Sequence, residues 1–187
     1  MNIEIRADTL KISGYVTAVE RDSRLLDRSK SPDAKTAFVE RIKAGTFKKA
    51  LQSAENTELK YNHDRKIGDT ASGTLKLKED NIGLYAEAEI TDSEVIEMAR
   101  HNRLTGWSFG FSANSDIWET LENGTQRRTI DSLTLYEVSL LSVTPAYIAT
   151  SIEMRMSEPV PFNNIQHRQI EILKLKSEVF NEFKGIN

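Results

Sequence analysis

The sequence predicts a mainly β protein with helices inserted between its strands, an α+β fold built as a barrel or sandwich carrying outer helices. Three observations predict it. Residues 71–90 form the clearest hairpin signal, because Leu75 and Leu77 face Leu84, Ala86, Ala88 and Ile90 in alternation across the polar turn "KEDN". Two long strand-like runs, "GWSFGFSANSDIWETL" and "RTIDSLTLYEVSLLSV", flank the turn segment "ENGTQ". Strand signals dominate up to Pro145, and the helical stretches fall between them.

In chain order, "LKISGYVTAV" alternates and is rich in β-formers, so it reads as a strand. The charged segment "ERDSRLLDRSKSPDAKT", broken at Pro32, reads as a long mobile loop. "FVERI" is extended, Gly45 punctuates, and "TFKKALQSA" is a short helix that Thr46 can cap. "ELKYNHD" is a further strand carrying His63 near its end. After the hairpin, "TDSEVIEMARHN" is a helix with Thr91 or Asp92 as its cap and Val95, Ile96, Met98 and Ala99 on its apolar face. The character changes after "TPAYIATSIEM": "SEPVPFNN" holds two of the four prolines, and the following segment places Ile170, Leu173, Val179 and Phe180 near helical spacing. The expected division is therefore one domain over 1–156, then a linker and C-terminal amphipathic helix over 157–187. That helix can dock on its own domain or pair with a second chain.

Composition narrows the chemistry. A chain of 187 residues suits one domain with a real core plus a tail. The formal net charge of -3 offers no excess of cations for phosphates, which argues against nucleic acid as the main partner. With no cysteine, disulfides, thiolate zinc sites and cysteine nucleophiles are excluded. The three histidines match no metal spacing such as H-E-x-x-H, so neither a metal nor a cofactor is expected. No apolar run is long enough to cross a bilayer and no leader pattern opens the chain, which predicts no membrane association and a cytoplasmic site of synthesis.

The motif that carries chemistry is "GWSFGF", which fits G-x-S-x-G around Ser108. In a strand, Trp107, Phe109 and Phe111 point to one face and fill the core, while Ser108, Gly110 and Ser112 point to the other. Gly106 and Gly110 then leave room for a substrate backbone to approach. The bland alternative is an outward polar serine between bulge glycines. In an α/β-hydrolase the acid and the histidine follow the serine, but only His167 lies beyond Ser108, and the parallel βαβ rhythm is absent. The better base is His63, in "YNHD", whose alternative reading is a surface turn histidine. His101 reads as solvated. "GDTASG" matches an aspartic protease signature only loosely, since Ala71 stands where D-T-G needs glycine.

Taken together, "FVERIKAGTFKKAL", "YNHDRKIGDTASGTLKLKEDNIGLYAEAEI", "LTGWSFGF" and "LYEVSLLSVTPAY" resemble, in order and spacing, the prohead maturation proteases of tailed phages. The resemblance covers roughly residues 10 to 150. It implies an assemblin-like antiparallel β-barrel surrounded by a few helices, with the catalytic residues on the barrel's outer face. It also implies roles: Ser108 as nucleophile, His63 as general base and acid, and Glu137 as the acid that orients His63. Alternation agrees in setting Glu137 and Ser139 on one face and Tyr136, Val138 and Leu140 on the other, although alone it equally allows a strand glutamate paired with a surface cation. The segment "VTPAY" is the place to look for an oxyanion donor, with Pro145 unable to give an N–H. The implied function is a serine endopeptidase acting inside the procapsid, in the host bacterial cytoplasm, on scaffold, on the N-terminal region of the major capsid protein and on itself. A homodimer without cofactor is implied as well. A catalytically silent barrel serving as scaffold or assembly partner is the alternative, and an esterase a third reading.

Overall fold

The computed structural model describes residues 2–6 and 8–142. These form β1 (Asn2–Ile5), β2 (Leu10–Ala18), β3 (Phe38–Ile42), α1 (Thr46–Ser53), β4 (Glu58–Tyr61), β5 (Arg65–Asp69), β6 (Leu75–Glu79), β7 (Gly83–Ile90), α2 (Ser93–Arg100), β8 (Gly106–Thr120) and β9 (Gln126–Leu141). The protein is mainly β with two α-helices, as the strand-rich pattern predicts. The linker, the terminal helix and the "VTPAY" segment lie outside the described residues.

Two sheets result. The first is antiparallel throughout, in the order β1-β2-β7-β6. Its β6–β7 pairing sets Leu75 opposite Ala88 and Leu77 opposite Ala86, the facing that alternation requires. The second is mixed, which departs from the antiparallel expectation. Its centre is β9, with β8 antiparallel along one edge and both β3 and β4 parallel along the other. The reason lies in α1: a helix between β3 and β4 returns the chain, so both strands run the same way along β9. Strand pairing among the described residues leaves two sheets and does not close them into a barrel.

One apolar core joins them. Leu10, Ile12, Val16, Leu84 and Ile90 from the first sheet meet Leu59, Trp107, Ile130, Val138 and Leu140 from the second, with Phe47 of α1 and Val95 and Ile96 of α2. Phe109 stands edge-on to Phe47 at 5.3 Å between ring centroids, which ties α1 to the strand carrying Ser108.

The helix starts show two kinds of cap. Asp92 caps α2 as the sequence suggests, its carboxylate accepting from the Val95 N–H at 3.0 Å. Thr46 does not cap α1. The cap is Gly45, whose φ of 85° suits glycine, and Thr46 is already in the helix and buried. The N–H groups of Gly45 and Lys48 are met instead by the Glu79 carboxylate of β6, each at 2.6 Å. A carboxylate from the first sheet therefore does what a cap side chain would.

Candidate active site

Alternation along β8 places Ser108. Trp107 and Phe109 are buried in the core, so Ser108 and Gly110 face the other way. Three neighbouring strands then align their outward residues in rows. Ser108 of β8 is opposite Ser139 of β9, which is opposite Lys60 of β4; Gly110 is opposite Glu137, which is opposite Glu58. Directly paired side chains on one face start about 5 Å apart. The serine and the glutamate thus share one face on adjacent strands, as predicted.

Tyr136 departs from the prediction. Gly110 pairs with Glu137 but Phe111 pairs with Leu135, so Tyr136 is an extra residue, a β-bulge in β9. The bulge turns its ring outward, 55% exposed, where its hydroxyl lies 2.7 Å from that of Ser112. Simple alternation sets it on the face of Val138 and Leu140, opposite Glu137 and Ser139.

His63 belongs to a turn rather than to the end of a strand. The Asp64 N–H donates to the Tyr61 carbonyl at 3.1 Å, and the two residues between have positive φ, 52° at Asn62 and 65° at His63. That is the signature of a tight hairpin turn joining β4 to β5, and Asn and His tolerate the left-handed region better than most residues. The turn is held on two sides. Asn62 accepts from the Ser142 N–H at 2.9 Å and donates to the Ser142 hydroxyl at 2.9 Å, while Arg65 pairs with Asp92 and, at 2.8 Å, with Glu94 of α2.

The turn carries the imidazole to the acid: His63 Nδ1 is 2.5 Å from Glu137 Oε1. Glu137 is only 7% exposed. Its Oε1 also accepts from the Ser139 hydroxyl at 3.3 Å, and its Oε2 lies 3.1 Å from Lys60 Nζ. Burial alone pushes the Glu137 carboxyl up, but the hydrogen bonds from His63 and Lys60 outweigh it and hold the group below its ordinary range. An ionised carboxylate only accepts, so Nδ1 carries the hydrogen and a neutral ring presents Nε2 as the acceptor. Among the described residues Nε2 and the Ser108 hydroxyl make no side-chain hydrogen bond. Neither is thus committed to another side chain.

Lys60, which sequence reasoning missed, raises a second chemistry, because it stands in the same row as Ser108 and could in principle replace the histidine as base. Its environment argues otherwise. The hydrogen bond that Lys60 donates to Glu137, then that carboxylate's charge, raise the Lys60 amine above its ordinary value, so it stays protonated and cannot accept Ser108's proton.

Gly110 has a different use from the one expected. A Cβ built there would meet Glu137 Cγ at 2.7 Å, Oε1 at 3.0 Å and Cδ at 3.1 Å. The space left by the glycine is thus filled by the glutamate and is not open to a substrate backbone. The other candidates do not join the site. His101 is exposed at the end of α2, with Nδ1 2.8 Å from the Glu97 carbonyl. Asp69 braces a turn, accepting from the Ser72 N–H at 2.7 Å and pairing with Lys66 at 2.6 Å. His167 lies outside the described residues. Among the described residues no group of acidic and imidazole side chains has the arrangement of a metal site, and no helix is long and apolar enough to cross a membrane.

A half-buried serine on the outward face of a mixed sheet, beside an exposed histidine paired with a buried carboxylate, is the outline of a serine hydrolase that is not an α/β-hydrolase. The family model described as Caudovirus prohead serine protease matches residues 1–164, and the chain belongs to that family of capsid-maturation serine proteases. No curated protein sequence matches the chain.

Proposed function

We propose that this chain is a prohead serine endopeptidase in which Ser108 is the nucleophile, His63 the general base and acid, and Glu137 the orienting acid. The observation that carries the reading is the 2.5 Å contact of His63 Nδ1 with Glu137, made on the same sheet face that Ser108 occupies one strand away. In this mechanism the Ser108 oxygen attacks the scissile carbonyl while Nε2 takes its proton. Glu137 stabilises the imidazolium, which then protonates the leaving amine. A water, deprotonated by the same nitrogen, hydrolyses the acyl-enzyme and restores the serine.

The substrates in this reading are scaffold, the N-terminal region of the major capsid protein and the chain itself, cut inside the procapsid in the host bacterial cytoplasm. Two further parts of it are an assemblin-like barrel, supported by the single core shared between the sheets, and a homodimer, supported by the apolar stripe from Ile170 to Phe180 in the sequence. The test is incubation of the purified protein with the capsid and scaffold proteins of its own phage genome, with fragments identified by mass spectrometry. Defined fragments are expected from the wild type and none from Ser108→Ala or His63→Ala. Absence of fragments in every arm favours the catalytically silent scaffold, and fragments from Ser108→Ala refute the assignment of the nucleophile.

A further inference from the structure

A buried carboxylate facing a neutral histidine has no countercharge of its own. Burying an unpaired charge is costly, and a protein relieves that cost by moving a proton onto the nearest group that can take one. Beside Glu137 that group is His63. A proton drawn onto Nε2 would leave the ring cationic at rest and unable to accept from Ser108. Some other positive charge must satisfy the carboxylate if the base is to stay free.

We propose that Lys60 is a positioning residue for the site described above: its ammonium fixes the second oxygen of Glu137 and supplies the permanent positive charge that lets His63 rest neutral. The inference rests on the reading of His63 as base. The two oxygens of Glu137 are divided, with Oε1 accepting from His63 and Ser139 and Oε2 paired with Lys60 at 3.1 Å, so the plane of the carboxylate is set from both sides. The parallel β4–β9 register makes this possible, placing Lys60 beside Ser139 and Glu58 beside Glu137. Lys60 is held in turn by Glu58 at 3.4 Å, and Glu58 by Lys66 of β5 at 3.7 Å. From β8 the facing residues are Ser108 and Gly110, which bring no charge. Among the described residues Lys60 is therefore the permanent cation in direct contact with the acid, and Lys66 stands one carboxylate further away.

The test follows the ring of His63 itself. The imidazole resonances of wild type, Lys60→Gln, Lys60→Arg and Lys66→Gln are titrated by NMR, with His63→Ala to assign the signal, and the pH profile of kcat/KM on a scaffold peptide is recorded for each. In Lys60→Gln the His63 midpoint and the acid limb of the rate profile are both expected to move to higher pH by about one unit, the low end of the shifts that a nearby charge causes. That amounts to a loss of about tenfold in rate on the acid side, recovered as pH rises. Lys60→Arg and Lys66→Gln are expected to keep the wild-type positions. An unmoved His63 midpoint in Lys60→Gln, or a rate lowered equally at every pH, overturns the proposal, since a merely structural lysine would do no more. If the midpoint moves while Ser108→Ala still cleaves, the role of Lys60 stands and the assignment of the nucleophile falls.

Discussion

Gly110→Ala tests the geometry of the site without touching any ionisable group. The added methyl carbon would lie 2.7 Å from Glu137 Cγ and 3.1 Å from Cδ, against an ordinary contact of 3.4 Å or more. The backbone of Gly110 lies outside the left-handed region, so alanine fits its conformation and the whole effect comes from the contact. Cγ is close to the main chain and cannot swing away as a side-chain tip would. Glu137 must rotate and carry its carboxylate with it by something near 1 Å. Overpacking of this kind costs about 1–3 kcal/mol of stability. The catalytic cost is larger in proportion, because a displacement of ~1 Å in a positioned group loses about 10²-fold in rate, and complete loss of a triad acid about 10⁴-fold. Single-turnover cleavage of a scaffold peptide should thus fall by two to four orders of magnitude, about the range set by those two cases. Thermal unfolding of the same samples separates the two effects. In the double variant Gly110→Ala/Glu137→Ala the clash is gone, so part of the stability should return while the activity does not. A Gly110→Ala protein with wild-type rate and wild-type unfolding would refute the argument that the glycine exists to admit the glutamate.

Two other expectations concern charge. Glu137→Gln should keep the fold and lose about two to four orders of magnitude in single-turnover rate, since an amide removes the compensating charge and can present N–H where an acceptor is needed; Glu137→His should lose less, and equal wild-type rates for both would reduce the site to Ser108 and His63. Asp22 links Arg41 of β3 at 2.8 Å to Arg127 of β9 at 2.9 Å. Burial pushes its carboxyl up, but the hydrogen bonds from Arg127 and Arg41 prevail and leave it depressed. A depressed carboxyl contributes stability above its unfolded value, lost as pH falls through the folded value. Urea midpoints should therefore decline below about pH 4 in the wild type, and more weakly in Asp22→Asn, which starts about 1–3 kcal/mol less stable; parallel declines would refute the assignment.

What the sequence discloses follows from the range of the interaction involved. The inward Trp107 and Phe109, the outward Ser108 and the shared face of Glu137 and Ser139 are local consequences of a period of two, and they are legible. Tyr136 is not, because one extra residue shifts the period and nothing in "LTLYEVSL" marks where. β1 escapes notice for another reason. It is four residues long and largely exposed on a sheet edge, so burial never imposes a pattern on it. The carboxylate that meets the first N–H groups of α1 comes from Glu79 of β6, which no capping rule reads from "GTFKK". Lys60 and Gly110 are hidden most completely. The meaning of Lys60 depends on β4 lying parallel to residues 137–140, and that of Gly110 on the bulge-shifted register of β8 against β9, neither of which a local pattern encodes.

Those pairings also explain why the motif around Ser108 misleads as a hydrolase signature. In a nucleophile elbow the glycines permit a sharp turn that lifts the serine out of the sheet. Here Ser108 sits within a paired strand, opposite Ser139, and alternation alone presents it. The second glycine answers a different need, the bulk of Glu137 on the next strand. Chain order then loses its diagnostic force, because the elbow's sequence of serine, acid and histidine belongs to its own connectivity. In this sheet the candidate acid is on the central strand, and its neighbours on either side supply the candidate base and nucleophile. Any order of the three strands along the chain would serve, provided that the strand bearing the carboxylate lies in the middle.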